Sequence, residues 1–211
     1  MVKLSLFKHI YKDGIMKLSK SIFIIVTIVL VAVGCAQKEM AIPEATDWPI
    51  KEFSFTNQEG DAVSLSDLKG KVWIADFIFT NCADVCLPMT SNMKKLQTMV
   101  AEEQLKNVEF ISFSVDPAYD KPKILKDYGN RFKADYTNWN MLTGYSQKEI
   151  ETFAKDNFKA HVMKPKEGDQ VVHGTSFYLV DQKGTVVKQY TGLQDIPLEE
   201  IIKHIKILQS K

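Results

Sequence analysis

The clearest pattern along the chain is an apolar run at residues 71–79 followed by apolar positions at helical spacing across 88–105. The run is too continuously apolar for a strand with one face in water, so it predicts a central strand that is covered on both faces. Met93, Leu96 and Val100 mark one face of the helix that follows. A strand that leads directly into a helix is the basic unit of an α/β fold.

The remaining pattern completes this fold class. Further predicted elements are strands at 53–57 and 108–115, helices at 121–132 and 146–158, a hairpin of 175–180 with 185–190, and a closing helix at 197–209. Strand and helix alternate and are followed by a hairpin and a helix, which is the element order of a thioredoxin-like fold. We therefore expect one α/β domain over residues 48–211, with a mostly parallel central sheet, an antiparallel hairpin edge and flanking helices.

Composition and charge narrow the function. The 211 residues are 45% hydrophobic and 25% charged, which suits one domain with a full core. A net charge of +1 does not favour a nucleic-acid partner. Residues 1–34 hold five lysines and one aspartate, a net charge of +4, so the remaining residues carry −3. The basic excess thus belongs to a leader.

The leader has the features of a targeting segment. Its apolar stretch, Ile22–Val33, is about a dozen residues long, whereas a transmembrane helix needs roughly 20. This length predicts a signal peptide at 1–34, and a short uncleaved membrane anchor is the alternative. Met16 begins a good basic segment of its own, so we expect translation to start there, with residues 1–15 being either a long basic extension or upstream of the true start.

A cysteine ends this leader. The stretch Ala32-Val33-Gly34-Cys35 resembles a bacterial lipobox, although Ala32 stands where Leu is usual. We therefore expect Cys35 to be lipidated and to hold the protein at the cell membrane, facing the extracytoplasmic side. Residues 35–47 are predicted to be a tether between this anchor and the domain.

The domain itself contains two cysteines, Cys82 and Cys86, at the junction between the predicted strand and helix. This junction is the carboxyl edge of a parallel strand, where sites in α/β sheets usually lie. A helix N-terminus favours thiolate over thiol. Residues four apart on a helix are about 6 Å from each other, so the two sulfurs can form a disulfide or bind one soft metal ion. The alternative is a pair of buried structural thiols.

One histidine is placed to join them. His173 lies just before the apolar strand at 175–180, whose start faces the cysteine loop in a thioredoxin-like topology. It is predicted to be a ligand or, alternatively, a residue that merely caps the strand. We expect His161 and His204 to be solvated surface residues, and His9 lies in the leader.

Taken together, these segments resemble a known family. The run at 76–86, the stretch Phe113-Ser-Val-Asp-Pro-Ala-Tyr-Asp-Lys-Pro122 and the distant His173 are similar to the Sco/SenC family, over residues 48–209. Its members are copper-binding proteins that assist assembly of the CuA centre of cytochrome c oxidase, and the greatest likeness is to the lipoprotein Sco proteins of Gram-positive bacteria.

The resemblance implies a ligand set and partners. Cys82 and Cys86 would be thiolate ligands of copper, as Cu(I) or Cu(II), with His173 as the third ligand and Asp116 near the site. The partners implied are the CuA domain of oxidase subunit II, an extracytoplasmic thiol reductase and another copper carrier.

Two positions depart from the family pattern. The family has Pro directly after the second cysteine, where this chain has Leu87, and many members have an acid in place of Val172. Leu87 makes the starting residue of the helix differ from the family expectation. Val172 makes the surroundings of His173 less polar than in those members.

Two enzymatic interpretations compete with the chaperone. A thiol–disulfide oxidoreductase would reduce the cysteines of the CuA site, but the spacing is CxxxC, and Gly174-Thr175-Ser176 lacks the proline that thioredoxins place opposite their active site. A thiol peroxidase would need a proline at the position of Asp76. It therefore ranks last.

Overall fold

A computed structural model describes residues 41–210, and a six-stranded sheet forms the centre of this part of the chain. The predicted leader at 1–34, the expected start at Met16 and the predicted lipidation site Cys35 lie outside the described residues. Within the described range, no helix combines the length and apolar character that crossing a membrane requires.

The elements alternate as the pattern predicts. The strands are β1 (Trp48–Pro49), β2 (Ser54–Thr56), β3 (Ala62–Ser64), β4 (Val72–Ile78), β5 (Val108–Ser114), β6 (Trp139–Leu142), β7 (Val162–Met163), β8 (Val172–His173), β9 (Ser176–Val180) and β10 (Thr185–Thr191). The helices are α1 (Leu65–Leu68), α2 (Cys86–Glu102), α3 (Pro122–Arg131), α4 (Gln147–Phe158) and α5 (Leu198–Gln209).

The central sheet has the strand order β1-β10-β9-β4-β5-β6, and β2–β3 and β7–β8 are separate two-stranded pairs. Strands β4, β5 and β6 are parallel, because α2 and α3 connect them as crossovers. Strands β9, β10 and β1 continue the sheet in antiparallel pairing. The predicted thioredoxin-like α/β fold, with a parallel core, a hairpin edge and flanking helices, is confirmed.

Strand β4 lies in the middle of the sheet and leads directly to the loop that contains Cys82. All seven of its residues are buried, which requires cover on both faces because successive side chains alternate. It pairs along its whole length with β5, from Val72 opposite Val108 to Ile78 opposite Ser114. The end of β4 is therefore a rigid platform for the loop that follows.

Helix α2 begins earlier than the predicted residue 88. Cys86 is its first residue and Pro88 its third, a position where the missing N–H has no helical partner to lose. Leu87 is accommodated in the first turn and is 37% exposed. The helix ends at Glu102, before the predicted 105, because Gln104 has the left-handed φ of 53°.

Several short elements were not predicted. Strands β6, β7 and β8 have two to four residues each, too few to show a periodic pattern. The pairing of β7 with β8 places His173 opposite Val162 in a hairpin of its own. His173 precedes strand β9, as predicted, and it reaches the cysteines from this unpredicted hairpin.

The prediction that His204 is solvated is wrong. Its side chain is buried with 3% exposed, and its Nδ1 shares a 2.7 Å hydrogen bond with the hydroxyl of Tyr190. Burial lowers the pKa of its imidazole. The reason is helical spacing, because His204 falls on the same face of α5 as Ile201 and Ile205. His161, by contrast, is exposed as predicted.

Packing against the sheet begins inside the predicted tether. Ile42 is 8% exposed, and the N–H of Thr46 donates to the carbonyl of Val187 on β10 at 2.9 Å. Ordered contacts therefore start before residue 48. Residues 35–40 lie outside the described range.

Candidate metal centre

The two cysteines sit at the start of α2, one in the loop and one in the helix. Cys82 lies in the loop after β4 and is partly exposed, whereas Cys86 is fully buried as the first helical residue. The N–H of Cys86 donates to the sulfur of Cys82 at 3.4 Å. This bond uses one of the N–H groups that a helix leaves unpaired in its first turn. Cys82 is thereby held over the positive end of the helix.

His173 approaches from the β7–β8 hairpin. Its Nε2 lies 3.3 Å from the sulfur of Cys86, and its Nδ1 lies 2.9 Å from the carbonyl oxygen of Gly174. A carbonyl can only accept, so Nδ1 carries a proton, and Nε2 is the ring nitrogen that faces the sulfurs. The imidazole is packed edge-on against Phe79, with ring centroids 5.7 Å apart. The ring is therefore fixed in the tautomer that can bind a metal through Nε2.

Cys82, Cys86 and His173 form one cluster. One ligand atom from each lies within 4.8 Å of the other two, and no other group of three or more His, Cys, Asp or Glu side chains among the described residues is arranged to hold a metal ion. Two sulfurs and one imidazole are a soft donor set of low coordination number. The sequence-predicted ligands thus meet at one point.

The two thiols differ sharply in acidity. Burial by itself would raise the pKa of Cys82, but hydrogen bonds from His173, Cys86 and nearby backbone N–H groups lower it to about 6. Burial and the neighbouring sulfur of Cys82 raise the pKa of Cys86 well above its ordinary range. At neutral pH the metal-free pair is therefore a thiolate at Cys82 beside a thiol at Cys86. Binding a metal through both sulfurs must release the proton of Cys86.

Asp116, in the loop after β5, forms its side-chain contact with the segment that follows β7. It is 3% exposed, and its Oδ1 forms a 2.5 Å ion pair with the ammonium of Lys164, the residue that follows β7. Its backbone N–H donates to the hydroxyl of Ser114. No hydrogen bond or ion pair found among the described residues joins it to Cys82, Cys86 or His173. Its side-chain ion pair is with the hairpin that carries the histidine.

Sequence reasoning missed a second acidic residue, Asp76. It is completely buried in β4, opposite Ser112 of β5, and neither carboxyl oxygen has a hydrogen bond of ordinary geometry among the described residues. Burial raises its pKa to about 7, which the Ser112 hydroxyl and the charge of His173 offset only in part. Its charge in turn raises the pKa of Cys86. The sequence feature that could have identified Asp76 is a single acidic residue inside an apolar strand, six residues before a cysteine.

Comparison with known proteins gives a consistent result. The SCO1/SenC family model matches residues 44–209. The SCO1 protein homolog of Bacillus subtilis (strain 168) is 48% identical over 172 residues, which are 82% of this chain and 89% of the relative.

Solved structures similar to this chain also belong to the Sco family. A SCO1/SenC family lipoprotein from Bacillus anthracis (strain Ames) has 54% identity and a TM-score of 0.77, covering 80% of this chain and 99% of that one. BsSco, described as having a disulfide switch and as a member of the Sco family of cytochrome c oxidase assembly proteins, has 48% identity and a TM-score of 0.75, with coverage of 80% and 98%. ScoI of Bradyrhizobium japonicum, solved with copper bound, has 28% identity and a TM-score of 0.59, with coverage of 76% and 99%.

The raised pKa of Asp76 makes a prediction about stability. The folded state keeps the proton up to about pH 7, whereas the unfolded chain releases it near pH 3.8. Between these values the folded state holds the extra proton, so the wild-type free energy of unfolding falls as pH rises from about 4 to about 7. Relative to wild type, Asp76→Asn should gain stability across this window, by roughly 4 kcal/mol at ~1.4 kcal/mol per pKa unit.

Urea unfolding of the reduced, metal-free full chain between pH 4 and pH 8 measures this difference. Asp127→Asn removes an exposed carboxylate on α3 and serves as the control, since an exposed ion pair contributes little. If the Asp76→Asn and wild-type curves run parallel across the window, the carboxyl of Asp76 is not held protonated by burial.

The low pKa of Cys82 predicts selective reactivity. The rate of its alkylation by iodoacetamide should be half-maximal near pH 6 in the reduced chain, while Cys86 reacts slowly. Because the hydrogen bond from His173 helps to lower this pKa, His173→Ala should move the midpoint to higher pH, and His161→Ala should leave it in place. Mass spectrometry of the alkylated peptides resolves the two sites. An unchanged midpoint in His173→Ala would show that the imidazole does not stabilise the Cys82 thiolate.

Proposed function

The chain belongs to the SCO1/SenC family, and from this premise we propose that it is a membrane-anchored, extracytoplasmic copper chaperone that assists assembly of the CuA centre of cytochrome c oxidase. The family comprises copper-binding proteins that act in cytochrome c oxidase assembly. The observation that carries the proposal for this chain is the meeting of Cys82, Cys86 and His173 within 4.8 Å.

The donor set suits copper as cargo. Thiolates select Cu(I), and adding an imidazole makes a set that can also hold Cu(II). Cys86 is fully buried, whereas Cys82 and His173 are both partly exposed, so copper would reach the site from the side of these two ligands. With three protein ligands, the metal keeps room for a ligand of the accepting protein. Copper can then pass to the accepting cysteines by exchange of one ligand at a time.

The same sulfurs allow control by redox state. Closing a disulfide between Cys82 and Cys86 removes two electrons and leaves neither sulfur as a thiolate, so the oxidised chain loses its sulfur ligands. An extracytoplasmic thiol reductase would supply the electrons that reopen the pair, and another copper carrier would then load it. Loading is thus restricted to the reduced chain.

The second candidate is a thiol–disulfide oxidoreductase that reduces the cysteines of the CuA site. The acidity difference favours it, because a thiolate at Cys82 with a protonated Cys86 behind it is the state that attacks a disulfide. This chemistry has no use for His173 as a metal ligand. Because His173 also helps to lower the pKa of Cys82, its loss affects both functions, and recovery of CuA assembly on adding copper is what separates them.

The anchor is part of the proposal. We assign lipidation to Cys35, which would keep the domain at the extracytoplasmic face of the membrane, within reach of the CuA domain of subunit II. The support is the lipobox-like end of the leader, together with the description of the Bacillus anthracis relative as a lipoprotein. Recovery of the wild-type chain in the soluble fraction of broken cells would contradict this anchor.

The decisive experiment returns variants of the full chain to cells that lack their own copy. His173→Ala should still form the Cys82–Cys86 disulfide but lower CuA assembly by at least about tenfold without added copper, since one metal ligand is gone. Cys82→Ala should lose both disulfide formation and CuA assembly, and His161→Ala should behave as wild type. The CuA absorbance of membranes and the thiol content of the purified chains provide the two readouts. Normal CuA assembly with His173→Ala would contradict the chaperone, and a defect that added copper does not relieve would support the oxidoreductase.

A further inference from the structure

The segment that connects β7 to β8 is tied to the rest of the site at both ends. At its start, Lys164 forms the 2.5 Å ion pair with Asp116, and the two side chains are only 26% and 4% exposed. Near its end, three residues before His173, the side chain of Gln170 reaches across to the cysteine loop. The position of the histidine thus depends on what this segment contacts.

The side chain of Gln170 forms hydrogen bonds with the backbone on both sides of Cys82. Its Oε1 accepts from the N–H of Ala83 at 3.3 Å, and its Nε2 donates to the carbonyl of Asn81 at 3.1 Å. A side-chain amide has one acceptor and one donor side, so it matches the carbonyl and N–H that flank a single residue. One side chain therefore fixes the main chain around Cys82 relative to the hairpin of His173.

Two further hydrogen bonds, both to Asp169, support this contact between the loops. The amide of Asn81 donates to Asp169 Oδ2 at 3.0 Å, and the amide of Gln170 also donates to Asp169 Oδ1 at 3.2 Å. These three residues are exposed, so water competes for each bond and each contributes a modest net stability. Such contacts can hold two loops together and still open readily.

We propose that Gln170 is a positioning residue that clamps the histidine hairpin to the cysteine loop and thereby sets the rate at which the bound copper is released. This inference rests on the proposed function, since it takes copper to be the cargo of the site. Release requires at least one ligand to leave the metal, and separation of the two loops withdraws His173 from the sulfurs. The clamp opposes that separation.

The test replaces Gln170 by methionine, which has a similar length and neither hydrogen-bonding group. The full chain is purified in detergent, reduced and loaded with Cu(I), and transfer to excess bicinchoninate is followed by absorbance. Gln170→Met should release copper about tenfold faster than wild type, because it loses the two hydrogen bonds that cross to the cysteine loop. Gln194→Met makes the same substitution at an exposed position on the loop after β10 and should release copper at the wild-type rate.

Two further readouts separate positioning from general damage. In the metal-free chain, hydrogen exchange at the amide of Ala83 should accelerate in Gln170→Met, while the urea midpoint stays that of wild type. A wild-type chain that takes up no copper contradicts the proposed function, and the claim about release falls with it. A wild-type chain that holds copper and releases it as fast as Gln170→Met contradicts only the role of Gln170, as does an unchanged exchange rate at Ala83.

Discussion

The site depends on one contact, the 3.3 Å approach of His173 Nε2 to the sulfur of Cys86. The cysteines belong to a loop and helix at the end of the parallel core, whereas the histidine belongs to a small hairpin outside the central sheet. Nothing local in the sequence forces these parts together. Strand β4 fixes the first part, the carbonyl of Gly174 fixes the tautomer of the imidazole, and the ion pair of Lys164 fixes the hairpin.

The electrostatics of the site suit the binding of a cation. Cys82 readily carries a negative charge, whereas the burial of Cys86 and Asp76 opposes a second and a third charge in the same small volume. A bound copper ion would neutralise part of this charge, so binding and proton release are coupled. The metal-free site is consequently a partly protonated one. Its thiolate lies on the exposed side, where an incoming metal or disulfide arrives first.

Sequence reasoning identified the parts of the site that leave a pattern in one segment. The apolar run of β4, the spacing of Cys82 and Cys86 and the position of His173 each stand out along the chain, and the family resemblance joined them. It misjudged His204, because the neighbours Lys203 and Lys206 indicate a solvated position although the helical spacing places His204 on the apolar face of α5. Asp76 was passed over because one acid in an apolar run does not reveal what it faces.

Other features could not be read from sequence in principle. Strands of two residues such as β7 and β8 carry no periodicity, and their existence depends on pairing with each other. The grip of Gln170 on the backbone beside Cys82 joins residues that are 87 and 89 positions apart. A glutamine in a polar loop has no sequence feature that distinguishes it from a solvated one. Such roles arise only from the tertiary fold.

The central claim is that copper is held by two sulfurs and one imidazole from these two loops. X-ray absorption spectroscopy at the copper edge of the reduced, copper-loaded full chain tests it most directly. The account predicts two sulfur neighbours and one nitrogen neighbour with the outer-shell scattering of an imidazole, and the loss of that scattering in His173→Ala. A shell of sulfur alone in the wild type, or an imidazole signal that persists in His173→Ala, would contradict it.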